Sequence, residues 1–409
     1  MPTLHEEYLR VLEPWAGAAG RDMYVPPERP DLWCYGSGFN GWGVQTNQKA
    51  FAALAVLATE PELDEARAGL SRAELLARAL GLLRFSLASH LSGEFTCLDG
   101  TTWGHTWISA LGIERMLHAV QALEPHLTPA DQAALRRVLL SECDWLVDGY
   151  FRNAGDPPGS IQAGLIEHNH PENNLWNGVL LQRVAWMYPD APRHADYLRQ
   201  GLAFLLNGIS VPADAESAER FAGQPLSAWH VGANFFPSYG LNHHRYLNVG
   251  YMVICLSQIA MAHFAWKARG QSAPAAVYHH AEDLWRVVKL LTFPDGRLAR
   301  VGGDTRARYC YCQDYAIPVW LLMLDRAADP DAPGFERRWL AILRREVAAG
   351  DGAAFLSARL APMARISPTY YTRLESDRAA ALSMALYWRR LSPALPEAPA
   401  PAEPAAAGG

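Results

Sequence analysis

Apolar positions recur at helical spacing in six strongly hydrophobic segments, which begin near Thr46, His105, Glu172, Asn248, Gln313 and Asp377. Their starts lie roughly 60 to 75 residues apart, so the chain repeats in structure without repeating in sequence. Between them run amphipathic segments with charged faces, over 3–14, 72–91, 128–150, 192–207, 275–292 and 334–349. A helix that is apolar nearly all round must be buried on most sides, whereas one with a charged face can border water. Six alternations of the two kinds predict an all-α fold of about twelve helices in a double ring, an (α/α)6 toroid.

Local signals support the helix starts. Ser71 and Thr128 read as N-caps, with Glu74 and Asp131 three residues on, and Pro129 suits the first helical position. Strand signals are confined to short pieces near 209–213 and 297–301, enough for a small hairpin or ribbon. A single domain is expected over 1–392. The Pro- and Ala-rich run 393–409 is expected to be a disordered tail, with no C-terminal β-sandwich.

Composition narrows the function. Half of the 409 residues are hydrophobic, 19% are charged, and the net charge is -6 without a basic run, which argues against a nucleic-acid partner. The cysteines, Cys34, Cys97, Cys143, Cys255, Cys310 and Cys312, follow neither zinc-ribbon nor thioredoxin spacing and read as buried reduced thiols. Absence of a signal-peptide pattern leads to the expectation of a cytoplasmic protein. No apolar run is read as the roughly 18 residues needed to span a bilayer, so no membrane partner is expected.

The 14 Trp and 16 Tyr matter because aromatic faces serve both as core and as platforms for sugar rings. Five of the apolar segments are approached by loops rich in Gly, Asn or aromatics: 35–43, 99–105, 168–174, 234–248 and 302–309. In an alternating ring all inner helices start at one end, so these loops are expected to meet at one mouth. The richest is the stretch from Asn234 through Asn242, His243, His244, Tyr246 and Tyr251 to Met252, with imidazoles, phenols and amides beside Pro and Gly turns.

Residues 236–252, with Phe236-Pro237-Ser238-Tyr239 leading to His243-His244 and ending in Tyr251-Met252, resemble a segment of heparinase II/III-like and alginate-lyase-like toroid proteins. Glu172-Asn173-Asn174-Leu175-Trp176 resembles a Glu-Asn-x-x-Trp element of the same proteins, and the likeness extends over about residues 100–320. It implies a polysaccharide lyase. His244 falls on the motif histidine, but His243 stands where the family has an amide and Asn242 where it has an acidic residue.

The expected reaction is β-elimination on a uronate-containing glycan. A base removes the C5 proton, an acid protonates the group leaving C4, and a polar group neutralises the adjacent carboxylate. His244 is assigned as base, Tyr251 or Tyr246 as acid or partner base, and His243 as a further catalytic candidate. Asn173, Asn174 and Asn242 are candidates for neutralising the carboxylate, Arg306 and Arg308 for gripping it, and Trp103, Trp107, Tyr239 and Glu172 for binding substrate. The His168-x-His170-x-Glu172 spacing in a loop, without further ligands, is not taken as a metal site, and no cofactor is expected. The expected partner is an acidic oligo- or polysaccharide. A glycoside hydrolase or epimerase on the same barrel, using carboxylates such as Glu172, Asp304 or Asp314, and a non-catalytic carbohydrate-binding protein are the alternatives.

Overall fold

The computed structural model describes residues 2–301 and 312–392, and the fold is mostly helical. Among the described residues twelve helices have ten or more residues. They are α1 (Leu4–Ala19), α2 (Trp42–Ala58), α3 (Arg72–Ala88), α4 (Ser109–Leu123), α5 (Pro129–Asp148), α6 (Pro171–Met187), α7 (His194–Leu206), α8 (Val249–Lys267), α9 (Ala281–Leu290), α10 (Ala316–Ala327), α11 (Ala332–Ala348) and α12 (Pro368–Leu391). Each apolar or amphipathic segment of the sequence corresponds to one of them.

The even-numbered helices pack on one another in sequence, α2 on α4, α4 on α6, α6 on α8, α8 on α10 and α10 on α12, and α12 returns to α2. Odd-numbered helices pack against these: α3 on α2, α7 on α6, α9 on α8, α11 on α10 and α1 on α12. Burial follows the same division. In α2 every residue after Trp42 is buried, whereas α5 and α9 keep charged faces in water.

Helix α8 is apolar and long enough to cross a membrane, which corrects the sequence reading that no such run exists. With 89% of its most hydrophobic window buried inside the protein, it is a core helix. A capping box forms at Ser71–Glu74 as expected, the expected N-cap Thr128 forms one with Asp131, and a third, Thr3–Glu6, opens α1.

The strand expectations need correction. Residues 212–216 form a 3-10 turn, since Pro212 is locked at a helical φ, and 297–301 contributes only an isolated bridge from Leu298 to Thr292. The ribbons lie elsewhere: β1 (Met23–Tyr24) with β2 (Cys34–Tyr35), β3 (Arg220–Phe221) with β4 (Gln224–Pro225), and β5 (Asn242–His243) with β6 (Tyr246–Leu247). Each is a two-residue antiparallel pair, too short for the alternating pattern that reveals strands in sequence. The five described cysteines are buried, and Cys310 lies outside the described residues.

Candidate active site

Five of the six even-numbered helices bring residues at or near their N-termini to one cavity of about 250 Å3. Trp42 opens α2, Trp107 precedes α4 and Arg115 lies in its second turn, Glu172 and Trp176 come from α6, Tyr251 from α8, and Tyr370 and Arg373 from α12. His243 and His244 reach it from the hairpin, and Arg152 from the segment after α5. The approach to α10, including Arg306, Arg308 and Asp304, lies outside the described residues.

The hairpin turn is the most constrained backbone of the site. Residues His244 and Arg245 join β5 to β6 and have φ of 58° and 67°. This two-residue connection needs left-handed backbone at both positions, for which Asn-Gly is the usual choice. A side chain with Cβ raises the energy there by about 1–2 kcal/mol per residue. Such strain persists where surrounding contacts over-determine it, and it clusters at functional sites.

Those contacts are visible. The Asn169 side chain donates to the Asn242 carbonyl, and His243 Nδ1 donates to the Asn169 carbonyl at 2.9 Å. Asn248 caps α8 by accepting the Tyr251 N–H at 3.1 Å and donates to the His243 carbonyl at 3.3 Å. The two histidines and Tyr251 therefore form one ring cluster, with centroids 4.1 Å apart for His243 and His244, 4.5 Å for His243 and Tyr251, and 5.2 Å for His244 and Tyr251.

The remaining wall is aromatic and cationic. Trp107 meets Trp42 edge-on at 5.9 Å and Trp176 at 6.5 Å. Arg152 lies over Trp107 at 4.1 Å and Arg373 over Trp42 at 3.5 Å, so each guanidinium is held against an indole face. Arg115 is buried, 3.1 Å from Asp377, and Lys49 meets the same carboxylate at 2.9 Å. Burial pushes the Lys49 ammonium down to about 7, Asp377 partly opposing it. Burial acts to raise the Asp377 carboxyl, but Lys49, Arg115 and Arg373 hold it below the ordinary aspartate value.

Glu172 is the one carboxylate among the described residues lining the cavity. It is buried, and its Oε1 lies 3.7 Å from both His243 Nε2 and His170 Nδ1. Burial pushes its carboxyl up, and His243 and His170 more than offset this, holding it low.

Of the sequence candidates, the fold thus unites His243, His244, Tyr251, Glu172 and Trp107. Tyr246 pairs with His243 across the hairpin, outside the lining. Asn173 is fully buried and donates to Tyr150 Oη at 3.3 Å. Asn174 ties two loops to α6, donating to the Gln162 and Asn207 carbonyls at 2.8 Å each and accepting the Gln162 N–H. Neither asparagine sits at the N-cap, which is His170. Asn242 supplies its backbone carbonyl to Asn169 and does not line the cavity.

Trp103 is core, its indole donating to the Ser86 carbonyl at 2.7 Å, and α4 begins only at Ser109, so Trp103 and Trp107 share no helix face. Tyr239 belongs to another cluster, 3.0 Å from His280 Nδ1.

Sequence reasoning missed Trp42, Arg115, Arg152, Trp176, Tyr370 and Arg373. Two signals were present: Trp42 lies in the first glycine-rich approach, and Tyr370 and Arg373 lie in the approach to the sixth apolar segment, which an alternating ring directs to the same mouth. Nothing local marked Arg115, two turns inside an apolar stretch. Comparison of the chain with protein-family models, curated proteins and solved structures returns no match.

Proposed function

We propose that the twelve long helices form an (α/α)6 toroid with the even-numbered helices inside, and that the protein is a lyase cleaving a uronate-containing oligo- or polysaccharide by β-elimination. The observation that carries this reading is one cavity in which His243, His244 and Tyr251 share a ring cluster beside three arginines and three tryptophans. Imidazole and phenol are the groups suited to moving a carbon-bound proton near neutral pH, guanidinium binds a carboxylate, and indole faces stack on sugar rings.

In the proposed reaction His244 accepts the C5 proton, the released electron pair forms the C4–C5 double bond, and the C4–O bond breaks. Tyr251 gives its proton to the departing oxygen. Arg115, Arg152 and Arg373 neutralise the carboxylate on C5, so that charge developing in the transition state meets donors already in place; each such donor contributes about 3 kcal/mol. The arginines replace Asn173, Asn174 and Asn242 in this role, since those amides serve backbone or loop contacts.

A hydrolase needs two carboxylates about 5–10 Å apart across the bond. Among the described cavity residues only Glu172 qualifies, and Asp314 is buried against Arg378 at 2.9 Å. The test is incubation with a panel of uronate polymers while the ultraviolet absorbance of the conjugated double bond is followed. Growth of that absorbance is expected. New reducing ends without it would replace the lyase by a hydrolase, and binding without either product would make the protein a carbohydrate-binding one.

A further inference from the structure

We infer that His170, Glu172 and His243 form a binding site for a divalent transition-metal ion of the zinc class on the wall of the cavity. Of the His168-x-His170-x-Glu172 spacing in the sequence the cluster uses His170 and Glu172, and the β5–β6 hairpin brings the third ligand from more than seventy residues away. One ligand atom from each residue lies within 4.8 Å of the other two. Glu172 Oε1 is 3.7 Å from both ring nitrogens. Ligands on a tetrahedral ion with bonds of ~2.1 Å stand about 3.4 Å apart, close to both separations from Glu172.

The separation of 3.7 Å is too long for a hydrogen bond, and the consequence is an unmet demand. Glu172 Oε2 and His170 Nδ1 are buried with no hydrogen-bond partner, and Glu172 is only 3% exposed. Buried polar groups without partners are rare and call for an explanation such as an ion. His243 Nδ1 donates to the Asn169 carbonyl while its Nε2 lies 3.7 Å from Glu172 Oε1, the outer-shell pattern of metal-binding histidines.

A second cluster supplies the contrast. Asp214, His279 and His280 also lie within 4.8 Å, but there the carboxylate is met by His280 at 2.9 Å, His279 at 3.3 Å and the Val211 N–H at 2.9 Å. That carboxylate is already satisfied, so the geometry assigns the ion to Glu172. Two neutral imidazoles and one carboxylate leave a bound divalent ion with net positive charge and open positions. Those positions suit a carboxylate oxygen of the substrate. This last role rests on the proposed elimination; the binding of the ion does not.

The test uses the full chain, stripped with a chelator and titrated with Zn2+ alone by calorimetry, and with Co2+ for its visible absorption spectrum. One ion per chain is expected, with a Co2+ spectrum typical of nitrogen and oxygen ligands. Glu172→Gln and His170→Ala are each expected to weaken binding by at least about 10- to 100-fold, while Asp214→Asn keeps the site. Circular dichroism establishes that each variant is folded, and the wild type but not Glu172→Gln gains thermal stability on adding Zn2+. Absence of binding in the wild type, or binding undiminished in both Glu172→Gln and His170→Ala, would overturn the inference. Elimination activity in fully stripped protein would remove the ion's catalytic role and leave the lyase reading standing. Zn2+ binding without turnover of any uronate polymer would do the reverse.

Discussion

Replacing Asp377 by Asn tests the ionic structure under the cavity. Asp377 is fully buried on α12, 2.9 Å from Lys49 of α2 and 3.1 Å from Arg115 of α4, so one carboxylate joins three consecutive members of the helix cycle. Removing one partner of a buried ion pair costs about 3–5 kcal/mol. Arg373 is a third cation, 3.9 Å from the same carboxylate, and the lysine and the arginines respond differently. Lys49 already sits at about 7, so at pH 7 it can release its proton when the carboxylate is lost. That escape keeps its share of the loss at pH 7 small. Arg115 and Arg373 cannot deprotonate and carry the rest. The expected loss is about 3 kcal/mol, against a total stability of roughly 5–15 kcal/mol for a folded protein.

The pH dependence identifies the mechanism. Lys49 has a folded value below its unfolded one, so between the two the unfolded state binds more protons and stability rises with pH. In the wild type this slope begins at about 7. Losing Asp377 lowers the starting point, so below pH 7 the variant keeps losing stability by up to about 1.4 kcal/mol per unit while Lys49 in the wild type no longer contributes a slope. The deficit of Asp377→Asn should therefore grow as pH falls from 8 to 5. Urea unfolding at four pH values measures it. A deficit below about 1 kcal/mol at pH 7, or one that is constant across that range, refutes the reasoning.

Other consequences can be checked as directly. His244→Ala should lower elimination by at least about 100-fold with the circular dichroism spectrum unchanged; retained activity removes His244 as base. Arg152→Ala, which takes one cation from the cavity and bares the face of Trp107, should lower kcat/KM about 100-fold for a uronate substrate, and an unaltered kcat/KM would detach it from the site. Arg245→Gly relieves one left-handed position of the hairpin turn; relief of about 1–2 kcal/mol less a chain-entropy penalty of about 0.5–1 kcal/mol predicts a net gain near 0.5–1 kcal/mol in urea. A loss instead would mean that Arg245 contacts outweigh its strain. Gly112→Ala places a Cβ 2.1 Å from Gln48 Oε1 where α4 meets α2, so a loss of about 1–3 kcal/mol is expected, and a neutral outcome would show that Gln48 moves aside freely.

Much of the fold was legible before any coordinates. Ser71 and Thr128 announce their helices because capping is a contact over three residues. The six all-apolar segments announce burial because a helix without a polar face has no stable place in water. The site was legible only in part. His244 and Tyr251 stood out because a Pro- and Gly-punctuated loop crowded with imidazoles is unlike core, and the hairpin does bring them together. Trp103 and Tyr239 looked equally suitable in sequence, yet one is core and the other faces the Asp214 cluster.

The sequence by itself determined which segments are helical, which of those are buried, and which loops are rich in imidazole, phenol and amide side chains, because each depends on neighbours within a few positions. Only the tertiary structure decided that Arg115, Arg152 and Arg373 share a cavity with His244, and that His243 approaches Glu172. Those meetings join residues tens to hundreds of positions apart, and they are set by the packing of α12 on α2 and by the two left-handed residues that turn one hairpin. Neither leaves a periodic mark on the chain.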